Sequence, residues 1–171
     1  MAEVVRLTAP DVHAQRAALV TLLEDAVNHG ASVGFLRPLE PALAEAYWRD
    51  VAGTVAAGSR ILLAAREAGE VVGSVQLDLS AKQNGRHRAE VQKLLVLARC
   101  RRRGIARDLM QEIEAQARQA GRTLLVLDTE SGSDAVPFYD SQGWERCGSI
   151  PDFALSADGV PTANIFYFKR V

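Results

Sequence analysis

The stretch Leu94-Leu95-Val96-Leu97-Ala98-Arg99-Cys100-Arg101-Arg102-Arg103-Gly104-Ile105-Ala106 decides the reading of this chain. Leu94, Leu95 and Val96 close an apolar run. Beyond the arginines, Ile105, Leu109, Ile113 and Ala117 recur every four residues, with Met110 widening the stripe. That is a buried strand joined to an amphipathic helix by a basic, glycine-bearing turn. A helix leaves its first N–H groups without intrahelical partners and carries partial positive charge there, so an anion docked on them satisfies both. Gly104 admits close backbone approach, Ala106 leaves the next position nearly bare, and guanidinium forks at Arg101, Arg102 and Arg103 suit phosphate oxygens. The alternative is a solvated basic connection between two elements.

Outward from this turn, Gly121 stops the helix and Thr123 to Leu127 reads as a buried strand. Strand 90–96, helix 104–120 and strand 123–128 form a βαβ unit, whose strands are expected to run parallel with a right-handed crossover. Upstream, 60–66 and 71–79 are strand-like runs around Ala68-Gly69-Glu70, and Asn84-Gly85 marks the reversal into the strand ending at Val96. Val4 to Leu7 is a further strand. Thr8-Ala9-Pro10-Asp11 opens a helix expected to run to His29, and Pro41 opens another reaching toward Gly58. Downstream, 134–142 is a short helix with Pro137 near its first turn and Asp134 as a candidate cap. Segments 144–150 and 165–169 complete the sheet around Asp158-Gly159.

With 171 residues, the chain fits one domain spanning 1–171, since domains cluster near ~100 to 150 residues. Twenty Lys and Arg against 21 Asp and Glu give a net charge of −1, so nothing global points to nucleic acid or a membrane surface. RNA binding through Arg99 to Arg103 is disfavoured by that balance and by the lack of an aromatic platform beside the arginines. Cys100 and Cys147 lack metal-ligand spacing and read as free thiols in a reducing cytoplasm; no metal is expected. No apolar run approaches the ~20 residues of a membrane helix, and no leader-like segment opens the chain.

Antiparallel meander, βαβ with a basic phosphate turn, then a short helix bearing Phe138-Tyr139 before Gly143-Trp144: this order resembles the GNAT acetyltransferases along nearly the whole chain. In that family a turn of the form Gln or Arg, two residues, Gly, one residue, Gly or Ala binds the pyrophosphate of acetyl-CoA, and Arg101, Gly104 and Ala106 fit it. Within the family the likeness is greatest to the tabtoxin-resistance branch. It is carried by Gly30 to Phe35, by Arg88-Ala89-Glu90-Val91-Gln92-Lys93-Leu94, by Leu127-Asp128-Thr129-Glu130, and by Asp158-Gly159 with Tyr167-Phe168-Lys169.

The resemblance implies a mixed α/β (α+β) GNAT fold. It would have a mostly antiparallel sheet of about seven strands, a parallel and splayed fourth and fifth strand, and flanking helices. It implies acetyl-CoA as co-substrate, a small-molecule amine as acceptor, and a homodimer. Leu94, Leu95 and Val96 would pair with the pantetheine arm as an added strand, and a backbone N–H near Leu94 would polarise the thioester carbonyl. Arg101 to Arg103, Gly104, Ile105 and Ala106 would hold the diphosphate. Where the family often has Asn to bind pantetheine stands Gly132, flanked by Ser131 and Ser133; Ser133 and Phe138 are assigned to the cofactor. Tyr139 takes the place of the tyrosine that donates to the leaving thiolate, the alternative being a core tyrosine. Glu90 or Asp128 could take the amine's proton, with Asp128, at its strand's end, the better placed; surface carboxylates are the alternative. His87 and Cys100 are weaker candidates, and Ser32 and Thr162 are candidates for shaping the acceptor pocket. A protein N-terminal or lysine acetyltransferase and a catalytically silent CoA sensor stay open as rivals.

Overall fold

Alternating and four-spaced apolar residues sort this chain into a sheet covered on both faces, seen in a computed structural model that describes residues 2–171. The strands are β1 (Glu3–Leu7), β2 (Arg60–Glu67), β3 (Glu70–Leu79), β4 (Arg88–Val96), β5 (Leu124–Glu130), β6 (Glu145–Leu155) and β7 (Pro161–Arg170). The helices are α1 (Ala9–Ala14), α2 (Arg16–Asn28), α3 (Pro41–Ala56), α4 (Ile105–Gln119) and α5 (Ala135–Ser141). The seven strands form one sheet in the order β1-β2-β3-β4-β5-β7-β6, antiparallel except for β4 and β5. This is the mixed seven-stranded architecture that the sequence predicts.

Burial follows from that topology. Ile61 to Ala65 on β2 and Val71 to Leu77 on β3 are buried without alternation, the mark of strands covered on both sides. α2 and α3 pack on these central strands through Leu19, Leu22, Leu23, Ala26, Val27, Trp48 and Val51, and α4 packs on them through Ile105, Leu109, Met110, Ile113 and Ala117. Gly73 is required where α4 crosses β3: a methyl group there would meet the Leu95 carbonyl at 2.9 Å and Leu109 at 3.1 Å.

Two expectations are corrected. The helix expected from Pro10 to His29 is two helices. A capping box at Thr8 and Asp11 starts α1, which ends at Ala14 with Gln15 as its C-cap, and the bend there lets Val12 and the α2 stripe both reach the core. β5 extends to Glu130, because β7 pairs with it from Leu124↔Arg170 to Glu130↔Asn164; Asp128 therefore lies inside the strand and not at its end.

Candidate active site

The parallel ladder between β4 and β5 is short. It joins Arg88 to Leu124, Ala89 to Leu125 and Glu90 to Val126, and then stops. β4 continues to Val96 paired with β3 alone, where the register shifts so that Lys93 and Leu94 lie between the Gln76↔Gln92 and Ser74↔Leu95 pairs. This bulge holds Lys93 at φ +51 and bends β4 away from its parallel neighbour. The backbone of β4 beyond Glu90 is thus left open on the β5 side, an edge inside the sheet that an extended ligand can join.

A single cleft of about 1260 Å³ opens from this divergence. It exceeds the ~300 to 1,000 Å³ typical of one-ligand pockets. At one end lies the turn before α4. Asp25 of α2 caps its start by accepting from the Ala98 N–H at 2.7 Å, and the Arg101 side chain folds back to donate to the Val96 carbonyl at 3.2 Å. Arg102 (φ +62) and Gly104 (φ +90) are both left-handed, Gly104 is the N-cap, and no side chain caps the helix. The backbone N–H groups from Arg102 to Arg107 make no hydrogen bond to any described residue. A run of convergent N–H donors at the positive end of a 15-residue helix is an anion cradle.

Arg101, Arg102, Gly104, Ile105 and Ala106 line this end together with Arg107, which the sequence reading missed. Its signal was its place three residues past the N-cap, in the helix's exposed first turn. The Arg103 side chain departs from the expectation: its guanidinium pairs with Glu67 at 2.9 Å, outside the cleft, so that Arg103 offers the cradle its backbone N–H alone. Leu94, Leu95 and Val96 line the open edge of β4. Ser133 and Phe138 also face the cleft, Ser133 sharing a 3.3 Å hydrogen bond with Thr129. Asp134 makes no capping bond to α5, contrary to expectation, since its own backbone is already helical (φ −61, ψ −18).

The other end is walled by side chains from distant segments. Asp128 accepts a 2.7 Å hydrogen bond from Asn164 Nδ2, and the Asn164 residue is only 5% exposed. Glu90 is exposed and accepts from Gln92 Nε2 at 2.9 Å. Tyr139, packed edge-on against Phe138 and Trp144 and tilted on Tyr167, lines the same cleft, and its hydroxyl has no partner among the described residues. Burial, reinforced by the charge of Asp128, pushes its phenol well above the ordinary value near 10. It therefore stays protonated, able to donate. The loop 30–36 crosses this end and is strapped down: Ser32 Oγ donates to the Leu155 carbonyl at 3.3 Å, and Arg37 grips Asp158 with two bonds of 2.5 and 2.7 Å. Ser32 lines the cleft; Thr162 does not, its hydroxyl being spent on the Ala154 carbonyl at 3.2 Å. His87 is exposed and outside the cleft, and Cys100 is buried at its wall. Lys93, Asn164 and Phe153 are cleft residues that the sequence reading passed over.

Residues 39–154 match the acetyltransferase (GNAT) domain family. An uncharacterized N-acetyltransferase encoded in the hisH-hisA intergenic region of Azospirillum brasilense is 31% identical over 123 residues, 71% of each chain. Among solved structures, the ribosomal-protein-alanine N-acetyltransferase of Brucella melitensis superposes with a TM-score of 0.79 at 23% identity, over 99% of both chains. The yncA protein of Salmonella typhimurium, solved with its cofactor acetyl-CoA, superposes with a TM-score of 0.79 at 18% identity, over 99% of this chain and 94% of that one. Fold and cleft together are those of an acyl-group transferase. The chain belongs to the GNAT acetyltransferase family, and is an N-acetyltransferase that draws its acetyl group from acetyl-CoA. The residues present fit that molecule: the free N–H cradle and arginines suit a diphosphate, and the unpaired edge of β4 suits an amide-bearing arm.

Proposed function

We propose that the protein acetylates the amine of a small, amino-acid-like or antibiotic-like molecule by direct attack in a ternary complex. The observation that carries this reading is one cleft with two chemistries, backbone N–H groups and arginines at one end, carboxylates at the other. Acetyl-CoA supplies an activated acetyl thioester. An amine of pKa ~10 is protonated at pH 7, and freeing its lone pair costs about 4 kcal/mol, against about 1 kcal/mol for an α-amine near 8. Asp128, oriented by Asn164, takes that proton directly or through water, with Glu90 the second candidate. The nitrogen then bonds to the acyl carbon while a backbone N–H near Leu94 steadies the charge growing on the carbonyl oxygen. As the carbon–sulfur bond breaks, the Tyr139 hydroxyl donates a hydrogen bond to the departing thiolate, and the nitrogen gives up its second proton, which ends on that sulfur directly or through water. The raised pKa of Tyr139 favours hydrogen bonding over outright proton delivery, because a thiol near ~8.5 is the stronger acid.

A small acceptor is supported by the loop 30–36, which lines the cleft and is tethered by the Ser32 and Arg37 hydrogen bonds. The free thiols of Cys100 and Cys147 support a reducing, cytoplasmic setting. The tabtoxin-resistance branch rests on the sequence words quoted above and on Tyr139, Asp128 and Glu90 standing in one region of the fold. The experiment is calorimetric titration of acetyl-CoA together with thiol release over a panel of small amines, dipeptides and β-lactam amino acids. Binding with turnover of a small amine is expected. Turnover of a protein N-terminus with none of any small amine would overturn the reading.

A further inference from the structure

Lys93 stands apart among the cations of this chain. It sits in the β4 bulge, and its left-handed backbone turns the side chain out of the alternation that a regular strand imposes. The ammonium lies over the Tyr47 ring, 5.6 Å from its centroid, and a methyl group on Gly34 would stand 3.7 Å from Nζ. The side chain therefore reaches from β4 to the 30–36 loop, which lines the cleft. Among the described residues it makes no hydrogen bond and no carboxylate lies within ion-pair distance, although Lys93 is only part-exposed. Ammonium groups withdrawn from water are ordinarily paired. Burial, with Arg60 adding to it, pulls its pKa below the ordinary lysine value, and Glu90 and Asp128 pull partly back. Both candidate bases line the same cleft as Lys93.

Asn164 supplies a second unmet demand. With Nδ2 committed to Asp128, its Oδ1 is buried and has no hydrogen-bond partner among the described residues. Oδ1 and the Asp128 carboxylate are two acceptors suited to the N–H groups of an incoming amine. Opposite demands thus line one cleft, acceptors on β5 and β7, an unpaired cation on β4.

Building on the acetyltransferase reading above, we infer that Lys93 is the counter-charge for a carboxylate on the acceptor, so that the molecule acetylated is a zwitterion whose amine lies between Asp128 and Asn164. A lone ammonium carries one charge, which matches a singly charged carboxylate more closely than a phosphate of about −1.5 to −2.

The test pairs each of a panel of L-amino acids and dipeptides with its C-terminal amide and follows thiol release at saturating acetyl-CoA. Wild type is expected to prefer the acid by about tenfold or more in kcat/KM, the scale of one buried charge contact. In Lys93→Met that ratio falls to about one, through KM for the acid, and Lys93→Arg restores part of it. Calorimetric titration of acetyl-CoA into each variant reports that the cofactor end is intact. Equal kcat/KM for acid and amide in wild type, or a preference that survives Lys93→Met, overturns the inference. So does acetyl-CoA binding without turnover of any panel member, which leaves the cofactor site standing. Failure of wild type to bind acetyl-CoA would bring down both readings.

Discussion

The two ends of the cleft are built from different materials. The cofactor end is backbone: six consecutive residues from Arg102 to Arg107 offer N–H groups, and the open edge of β4 runs into them. The end proposed for the acceptor is side chain, with Lys93, Asp128 and Asn164 arriving from three strands and the 30–36 loop from a fourth segment. Backbone suits the cofactor, since a diphosphate asks only for oriented N–H donors and positive charge. Side chains suit a molecule that must be told from others by its own shape and charge. Substitutions at the first end should therefore weaken binding of acetyl-CoA, and those at the second should change rate or acceptor preference.

The largest effect is expected from Gly104→Glu. Gly104 holds φ +90, and a Cβ there would stand 3.2 Å from the Arg107 guanidinium, so any side chain strains the turn while a carboxylate repels the diphosphate. Calorimetry should show acetyl-CoA affinity falling by about 100-fold or more, roughly 3 kcal/mol. An affinity within threefold of wild type would remove the cradle from the cofactor site. Next is Tyr139→Phe, which keeps the aromatic packing and loses the donor. Steady-state kinetics should give a kcat lower by roughly 10- to 100-fold with KM for acetyl-CoA nearly unchanged. Equal rates would leave Tyr139 a core residue.

The two arginines that adjoin in sequence separate the readings more finely. Arg102 lines the cleft, whereas Arg103 is exposed and pairs with Glu67 on β2. Arg102→Ala should weaken acetyl-CoA by roughly five- to tenfold and Arg103→Ala by less than about twofold, because an exposed ion pair contributes little. A reversed order in titration would place Arg103 on the cofactor.

That pair also shows what the sequence makes legible. The strand, turn and helix from Leu94 to Ala117 are readable because every signal is local: an apolar run, a glycine, and a stripe repeating every four residues. The direction of the Arg103 side chain is not local, since Glu67 lies 36 residues away and a run of arginines does not announce which member has a carboxylate neighbour. Lys93 was hidden for a related reason. A bulge has no residue signature, and in a regular strand position 93 would be one more alternating residue. β6 reads short because it is an edge strand, exposed along most of its length and broken by bulges near Gly148 and Asp152, so the alternation that marks a half-buried strand is missing. Gln15, neither glycine nor proline, gives no warning of the break between α1 and α2.

The smallest effect bears on what a side-chain site costs the fold. Lys93 is held at φ +51 with its ammonium partly withdrawn from water and beside Arg60, and its pKa is lowered chiefly by that burial. A lysine whose folded pKa lies below its unfolded value near ~10.4 disfavours folding wherever it is charged, so at neutral pH it weakens the protein. As pH rises through the lowered pKa, the folded state sheds the proton first, and the penalty disappears by the time the unfolded chain titrates. Lys93→Met keeps the stem and the backbone strain and removes the charge. Its melting temperature should therefore exceed that of wild type by roughly a degree or two near pH 7, with the gap closing toward pH ~10. Melting curves of both proteins across that range check the sign. A gap that widens with pH would mean that the ammonium is already well satisfied in the folded protein, and the acceptor end would then hold no unmet positive charge.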